Sequence, residues 1–270
     1  MKYKMIVSDL DDTILASDLT YDKQLKDTIA KYKLAGGTFV IATGRMTSSV
    51  LPYCNRFNLK GHLISYQGAR ISDIAKNNIL LEKHIDHEVL YHLLKQLDDE
   101  KIYHQFYLDE KIYVKKITDY SRMYAKFISA PFVELQYPLF DFVLNNRVNI
   151  LKAIIIADPQ EVSAHVIRLN KKYGDQLIIN TSKPWIVELI SKSAGKGSAV
   201  HFLAKHYNLS PHEIICIGDS SNDVSMIEYA GIGVAVANAS LEAYRAANII
   251  CPSCKANGVR SIIEKYGFLD

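Results

Sequence analysis

No apolar run in this 270-residue chain reaches the length needed to cross a bilayer, so no membrane association is expected. The opening Met1-Lys2-Tyr3-Lys4 leads directly into a strand-like segment, without the apolar region or cleavage pattern of an export signal. Cysteine is scarce, with four residues: Cys54, Cys216, Cys251 and Cys254. The Cys251-Pro252-Ser253-Cys254 spacing has no second ligand pair near it, which argues against a zinc site. These absences fit a reduced, cytoplasmic protein. Neither charge dominates: 32 Lys+Arg face 29 Asp+Glu for a net charge of +3, too even to suggest a nucleic-acid partner. The small basic group Lys111, Lys115 and Lys116 is interleaved with Ile112, Tyr113 and Val114 and reads as a solvated strand face. There is no internal repeat and no low-complexity segment.

The length suits two modest domains, or one with an insertion. Near the start, short apolar strands alternate with helical patterns as in a parallel α/β unit. Lys4–Ser8, Thr38–Ala42 and His62–Ser65 are the strands, and a helix around Leu25–Leu34 stops at Gly36-Gly37. Ala69–Ser72 and Asn78–Leu81 read as a small hairpin. The alternation resumes late in the chain, with strands at Glu213–Ile217, Gly233–Val236 and Asn248–Ile250. Helices are expected there at Asn222–Tyr229, Leu241–Ala247 and Val259–Tyr266. The middle differs. It is rich in Tyr, with strands at Ile102–Leu108, Lys111–Val114, Lys152–Ala157, Gln176–Asn180 and Trp185–Leu189, and helices at Glu88–Leu97 and Val162–Tyr173. An α+β module over 84–188, inserted between the halves 1–83 and 189–270 of one α/β domain, is the economical arrangement.

Four chemical fragments sit just beyond strands or at helix starts. Asp9-Leu10-Asp11-Asp12-Thr13 places two carboxylates two residues apart at the end of an apolar strand, where like charges need a cation, a shifted pKa or strong hydrogen bonds. Thr43-Gly44-Arg45 puts a hydroxyl right after a strand. Gly195-Lys196-Gly197 offers a cation before an apolar helix, and Gly218-Asp219-Ser220-Ser221-Asn222-Asp223 supplies a second acidic cluster. Taken singly, each has a plain structural reading: a solvated turn, a helix cap or a loop lysine.

In this order the four fragments resemble the motifs of the haloacid dehalogenase superfamily, and the resemblance covers essentially the whole chain. The insertion and the segment Ile64-Ser65-Tyr66-Gln67-Gly68-Ala69 resemble its Cof-like subfamily with a mixed α/β cap, although Gln67 stands where that subfamily more often has Asn. The resemblance implies a Rossmann-like parallel-sheet core with an inserted α+β cap domain. It also implies a Mg²⁺-dependent phosphatase acting on a small phosphorylated metabolite, sugar phosphates first.

Chemistry then assigns the parts. Asp9, first past the strand, suits a carboxylate nucleophile that splits phosphate-ester hydrolysis into two steps. A divalent cation must bridge it to the phosphate dianion, with Asp9 and Asp219 as side-chain ligands. The resemblance adds the Asp11 backbone carbonyl, and Asp223 is expected to complete the shell or hydrogen-bond its waters. Asp11 is left to act as general acid and base. Thr43 is expected to donate to a phosphoryl oxygen, and Lys196 to offset transition-state charge and hold Asp9 ionised. Leu10, Gly44, Arg45, Gln67 and Asn222 are the remaining substrate- or phosphate-binding candidates, with Lys183 and Trp185 as candidates by position. A phosphomutase shares every one of these groups, and a non-catalytic metabolite sensor is the alternative from another class.

Overall fold

The apolar run Met5–Ser8 forms β1, buried along its whole length between two parallel neighbours. The computed structural model describes residues 1–128 and 130–269. They divide into two units: the first holds 1–44, 50–81 and Lys196 onward, the second 45–49 and 82–195. After β1 come α1 (Leu25–Leu34), β2 (Thr38–Ala42), α2 (Thr47–Arg56), β3 (His62–Ser65), β4 (Arg70–Asp73) and β5 (Asn78–Glu82). The middle of the chain holds α3 (His87–Asp99), β6 (His104–Leu108), β7 (Lys111–Val114), α4 (Asp119–Ile128) and β8 (Phe132–Glu134). It continues through α5 (Leu139–Asn146), β9 (Lys152–Ile156), α6 (Pro159–Tyr173), β10 (Leu177–Lys183) and β11 (Ile186–Ser191). The chain then returns through α7 (Lys196–His206), β12 (Ile214–Gly218), α8 (Val224–Tyr229), β13 (Ile232–Val236), α9 (Leu241–Ala246), β14 (Ile249–Cys251) and α10 (Gly258–Tyr266).

The first unit is an α/β sheet in the order β14-β13-β12-β1-β2-β3-β4-β5, parallel from β14 to β3 and antiparallel from β3 to β4. Strands β1, β12 and β13 are buried at every position, as parallel strands covered on both faces must be. One face packs Ile6, Phe39, Ile41 and Ile217 against Leu25, Ile29 and Tyr32 of α1; the other packs Met5, Val7 and Cys216 against Ala199, Val200 and Leu203 of α7. Burying each such aliphatic side chain contributes about 1.5–3 kcal/mol. The chain runs from β1 to β2 and β3 in one direction and from β12 to β13 and β14 in the other. The order therefore reverses between β1 and β12, and that reversal opens a crevice at the carboxyl ends of the two strands.

The second unit is a six-stranded sheet, β10-β11-β9-β6-β7-β8, antiparallel except between β7 and β8. Leu90, Leu93, Leu94 and Leu97 form the buried stripe of α3 and join Phe106, Ala153, Val187 and Leu189 in one core. Asp86 caps this helix by accepting from the Glu88 and Val89 N–H groups, worth about 1 kcal/mol. Alternation along the strands puts Tyr107, Lys152 and Glu188 on the opposite face. There Lys152 donates to Glu188 at 2.6 Å, both buried.

Several elements differ from expectation. The return at 188/189 falls inside β11, whose hydrogen bonds to β9 and β10 carry it to Ser191, and the second unit extends to Gly195. Trp185 was expected on a strand. It sits instead in the two-residue turn between β10 and β11 with Pro184, which has no N–H to give a ladder, and Lys183 ends β10. The helix expected over Asn222–Tyr229 begins as a 3₁₀ turn, Ser221–Asp223. Elements α4, β8 and α5 were not anticipated.

Candidate active site

The backbone N–H of Asp9 donates to the Ile217 carbonyl at 2.9 Å, which carries the β1–β12 ladder one residue past β1 and sets Asp9 at the mouth of the crevice. Beyond it the chain turns tightly. The Leu10 carbonyl accepts from the Ile14 and Leu15 N–H groups, and Asp12 takes a left-handed φ of 60°. The Leu10 side chain points into the apolar core and is fully buried, which leaves only its backbone to face a ligand. Asp11 stays half-buried. Thr13 is fully buried, and its hydroxyl donates to Asp219 at 2.9 Å across 206 residues of sequence. No role had been read for Thr13; its place as the fifth residue of Asp-x-Asp-x-Thr is the signal that marks it.

Lys196, the first residue of α7, reaches into the same point. It is 1% exposed, and its ammonium donates to Asp9 and to Asp223 at 2.5 Å each. Asp223 is more than a neighbour. Its second oxygen accepts from the N–H groups of Asp219 and Ser220, at 3.0 and 3.1 Å, and so closes the turn after β12. A Cβ on Gly218 would lie 2.5 Å from that of Asp223, which explains a glycine at the strand end. Asn222 accepts from the Ser220 hydroxyl at 2.7 Å. Carboxylate oxygens of Asp9, Asp219 and Asp223 fall within 4.8 Å of one another.

Three carboxylates around one ammonium leave negative charge in surplus. Burial pushes Asp9 up to about 7 from the ordinary 3.8, with Asp223 and Asp11 adding to the rise and Lys196 opposing it. Asp219 is likewise raised well above its usual range, by burial first and then by Asp9 and Asp223. Lys196 is raised as well: burial disfavours its charge, but Asp223 and Asp9 together outweigh that. The expectation that Lys196 holds Asp9 ionised is therefore met in sign only, because desolvation is the larger effect.

On the adjoining strand Thr43 follows β2, fully buried. Its N–H donates to Ile64 and its carbonyl accepts from the Gln67 N–H, both at 3.0 Å. Tyr66 and Gln67 both have left-handed backbones, at φ 52° and 57°, which turns the Gln67 side chain onto Gly44. A Cβ on Gly44 would overlap the Gln67 carboxamide. Arg45 is buried and is the first residue of the short stretch 45–49 that belongs to the second unit. The structure thus brings Asp9, Thr13, Lys196, Asp219 and Asp223 into one hydrogen-bonded cluster, while Thr43, Gly44 and Gln67 form a second group on the next strand.

A family model described as haloacid dehalogenase-like hydrolase matches residues 6–263. The chain belongs to that family. This haloacid dehalogenase-like hydrolase is 29% identical over 268 residues to YxeH of Bacillus subtilis, covering 97% of this chain and 98% of that one. It is 28% identical over 281 residues to the 5-amino-6-(5-phospho-D-ribitylamino)uracil phosphatase YwtE of the same organism, with 97% of each chain covered. A haloacid dehalogenase-like hydrolase from Bacteroides thetaiotaomicron superposes with a TM-score of 0.85 at 25% identity, over 98% of this chain and 99% of that one. The protein is a Cof-like phosphatase of this superfamily. Among the described residues, no helix is long and apolar enough to cross a membrane.

Proposed function

We propose that this phosphatase uses Mg²⁺ to hydrolyse small phosphorylated metabolites, sugar phosphates first among them, through an aspartyl-phosphate on Asp9. The observation that carries the reading is the buried contact of Lys196 with Asp9 and Asp223 at the switch point of the sheet. The donor set fits a hard divalent cation: the side chains gathered here offer only carboxylate oxygens, close together and buried, where a positive charge is favoured. Asp9 and Asp219 are the side chains that would hold Mg²⁺, together with the Asp11 carbonyl. Asp223 already spends both oxygens on Lys196 and on two N–H groups, so its role is to fix the Lys196 ammonium and the Asp219 loop. When bound, the metal offsets the charge between carboxylate and phosphate dianion.

In the first step an Asp9 oxygen attacks phosphorus and the ester P–O bond breaks. Asp11 gives its proton to the leaving oxygen. In the second, Asp11 takes a proton from water as that water attacks the phosphoryl group, which releases inorganic phosphate and restores Asp9. Thr43 donates to a phosphoryl oxygen, and Lys196 stabilises the charge that builds on it. Gly44 and Gln67 shape the loop that holds Thr43, and Asn222 steadies the turn carrying Asp219. A relative named for a phosphorylated ribityl compound supports the small-metabolite class.

Phosphate release from p-nitrophenyl phosphate and a panel of hexose and pentose phosphates, with Mg²⁺ and then with excess EDTA, tests this reading. The expected result is turnover that EDTA abolishes and Asp9→Asn removes. Equal rates in Asp9→Asn would sink it, and isomerisation of a hexose phosphate without phosphate release would replace it with a mutase.

A further inference from the structure

The loop between β13 and α9, residues 237–240, touches both acidic turns of the site. Asn238 Nδ2 donates to the Asp12 carbonyl at 2.7 Å, across 226 residues of sequence. Two residues on, the Ser240 N–H donates to the Asp219 carbonyl, also at 2.7 Å. The loop is itself anchored. Asn238 Oδ1 accepts from the Cys254 N–H at 3.3 Å, and the Ala237 carbonyl accepts from the Tyr244 hydroxyl at 2.6 Å. The Ala239 N–H closes a turn on the Val236 carbonyl at 2.9 Å. The Ser240 hydroxyl accepts from the Ala243 N–H and so caps α9. Held at these points, the loop keeps its contacts to Asp12 and Asp219 at a fixed separation.

The backbone at Asp12 gives that separation a consequence. Its φ of 60° is left-handed, a conformation that residues other than glycine keep only where their surroundings hold it. Only the two torsions of Asp12 separate its own carbonyl from the planar peptide that carries the Asp11 carbonyl. An anchor on the Asp12 carbonyl therefore restrains the direction in which the Asp11 carbonyl points. Asn238 is exposed, so its side chain takes no part in core packing.

We propose that the β13–α9 loop braces the cation site, with Asn238 as its positioning residue. Through Asn238 it aims the Asp11 carbonyl, and through the Ser240 N–H it holds the Asp219 turn, so that the two ligands keep the spacing Mg²⁺ requires. This rests on the Mg²⁺ reading given above. Asn238 touches neither substrate nor metal and acts only through the backbone of the Asp9–Thr13 turn.

The test is calorimetric titration of the full chain with MgCl₂ in the absence of substrate, comparing wild type with Asn238→Ala. Melting of both metal-free proteins shows whether the fold is kept. The expected result is a Kd for Mg²⁺ about tenfold weaker in Asn238→Ala. The Mg²⁺ concentration for half-maximal turnover of p-nitrophenyl phosphate should rise by the same factor, while KM at saturating Mg²⁺ stays at the wild-type value. Wild type that binds Mg²⁺ and turns over, beside an Asn238→Ala variant of equal Mg²⁺ affinity, overturns the brace alone. A lowered melting temperature with that affinity unchanged also overturns it, since Asn238 would then be merely structural. Wild type that binds no Mg²⁺ brings down the brace and the Mg²⁺ reading together.

Discussion

Lys196 and Asp9 stand 187 residues apart in the chain and meet at 2.5 Å, with both side chains buried. The fold delivers one to the end of β1 and the other to the first turn of α7, and Asp223 holds Lys196 from its other side. Removing the ammonium by Lys196→Met strands two buried carboxylates. Breaking a buried ion pair in this way costs about 3–5 kcal/mol. The lost charge stabilisation lowers kcat by about 10²–10³-fold. Urea unfolding and steady-state kinetics of the variant measure both effects. A variant as active as wild type would remove Lys196 from the chemistry.

The raised pKa values of Asp9 and Asp219 predict a stability that depends on pH. A folded pKa above the unfolded one gives stability that is complete below about pH 4 and is lost as pH rises through about 7 for Asp9. Between pH 5.5 and 8 the metal-free protein should therefore lose stability from this cluster, and Mg²⁺ should restore more of it at pH 8 than at 5.5. Melting temperatures at the two pH values, with EDTA or Mg²⁺, show this as a larger metal-dependent rise at pH 8. A rise that is equal at both, or a pH slope unchanged in Asp9→Asn, contradicts it.

Gly44 and Gln67 make a close pair on the loops after β2 and β3. Gly44→Ala drives a Cβ into the Gln67 carboxamide, and this buried side chain must move aside or push the loop carrying Thr43. Overpacking of this kind costs about 1–3 kcal/mol, and a displaced hydroxyl should lower kcat by about tenfold. Adding Gln67→Ala opens the space again, so the double variant should recover stability lost by Gly44→Ala alone. A double-mutant cycle with strictly additive effects would show that the two side chains do not clash.

In the second unit Lys152 and Glu188 are a buried pair, 2% and 4% exposed, with the Lys152 ammonium 5.2 Å from the Tyr107 ring centre. Lys152→Met alone leaves the Glu188 carboxylate buried without its cation, for a loss of about 3–5 kcal/mol. The double change Lys152→Met/Glu188→Gln removes that penalty and should be the more stable of the two. Chemical denaturation of both variants decides the matter, and the reverse order would mean the pair's other neighbours dominate.

The parts legible in the sequence were those with a local physical signature. Thr38–Ala42 and His62–Ser65 were readable to the residue because parallel strands buried on both faces carry unbroken apolar runs. The stripe Leu90, Leu93, Leu94, Leu97 announced α3 in the same way. Elements α4, β8 and α5 were hidden. Apolar and aromatic side chains there are interleaved with charged ones, and β8 is only three residues, none of them fully buried. Asp9 and Asp11 stood out because like charges at the end of an apolar strand are costly, whereas Lys196, Asp219 and Asp223 gained meaning only from the order of the four fragments. What could not be read was who meets whom: that Thr13 turns its hydroxyl to Asp219, or that the Asp223 carboxylate closes the Asp219 turn. Those contacts join residues far apart in the chain or depend on loop geometry, and neither leaves a pattern in composition or spacing.

The central claim is that Asp9 carries the phosphoryl group between the two steps. It is tested most directly by acid-quenching the enzyme during turnover of p-nitrophenyl phosphate with Mg²⁺ and reading its peptides by mass spectrometry. The account predicts one added phosphoryl group on the peptide containing Asp9, which borohydride reduces to homoserine at that position. A phosphoryl group on any other side chain, or none while the enzyme turns over at full rate, would contradict it.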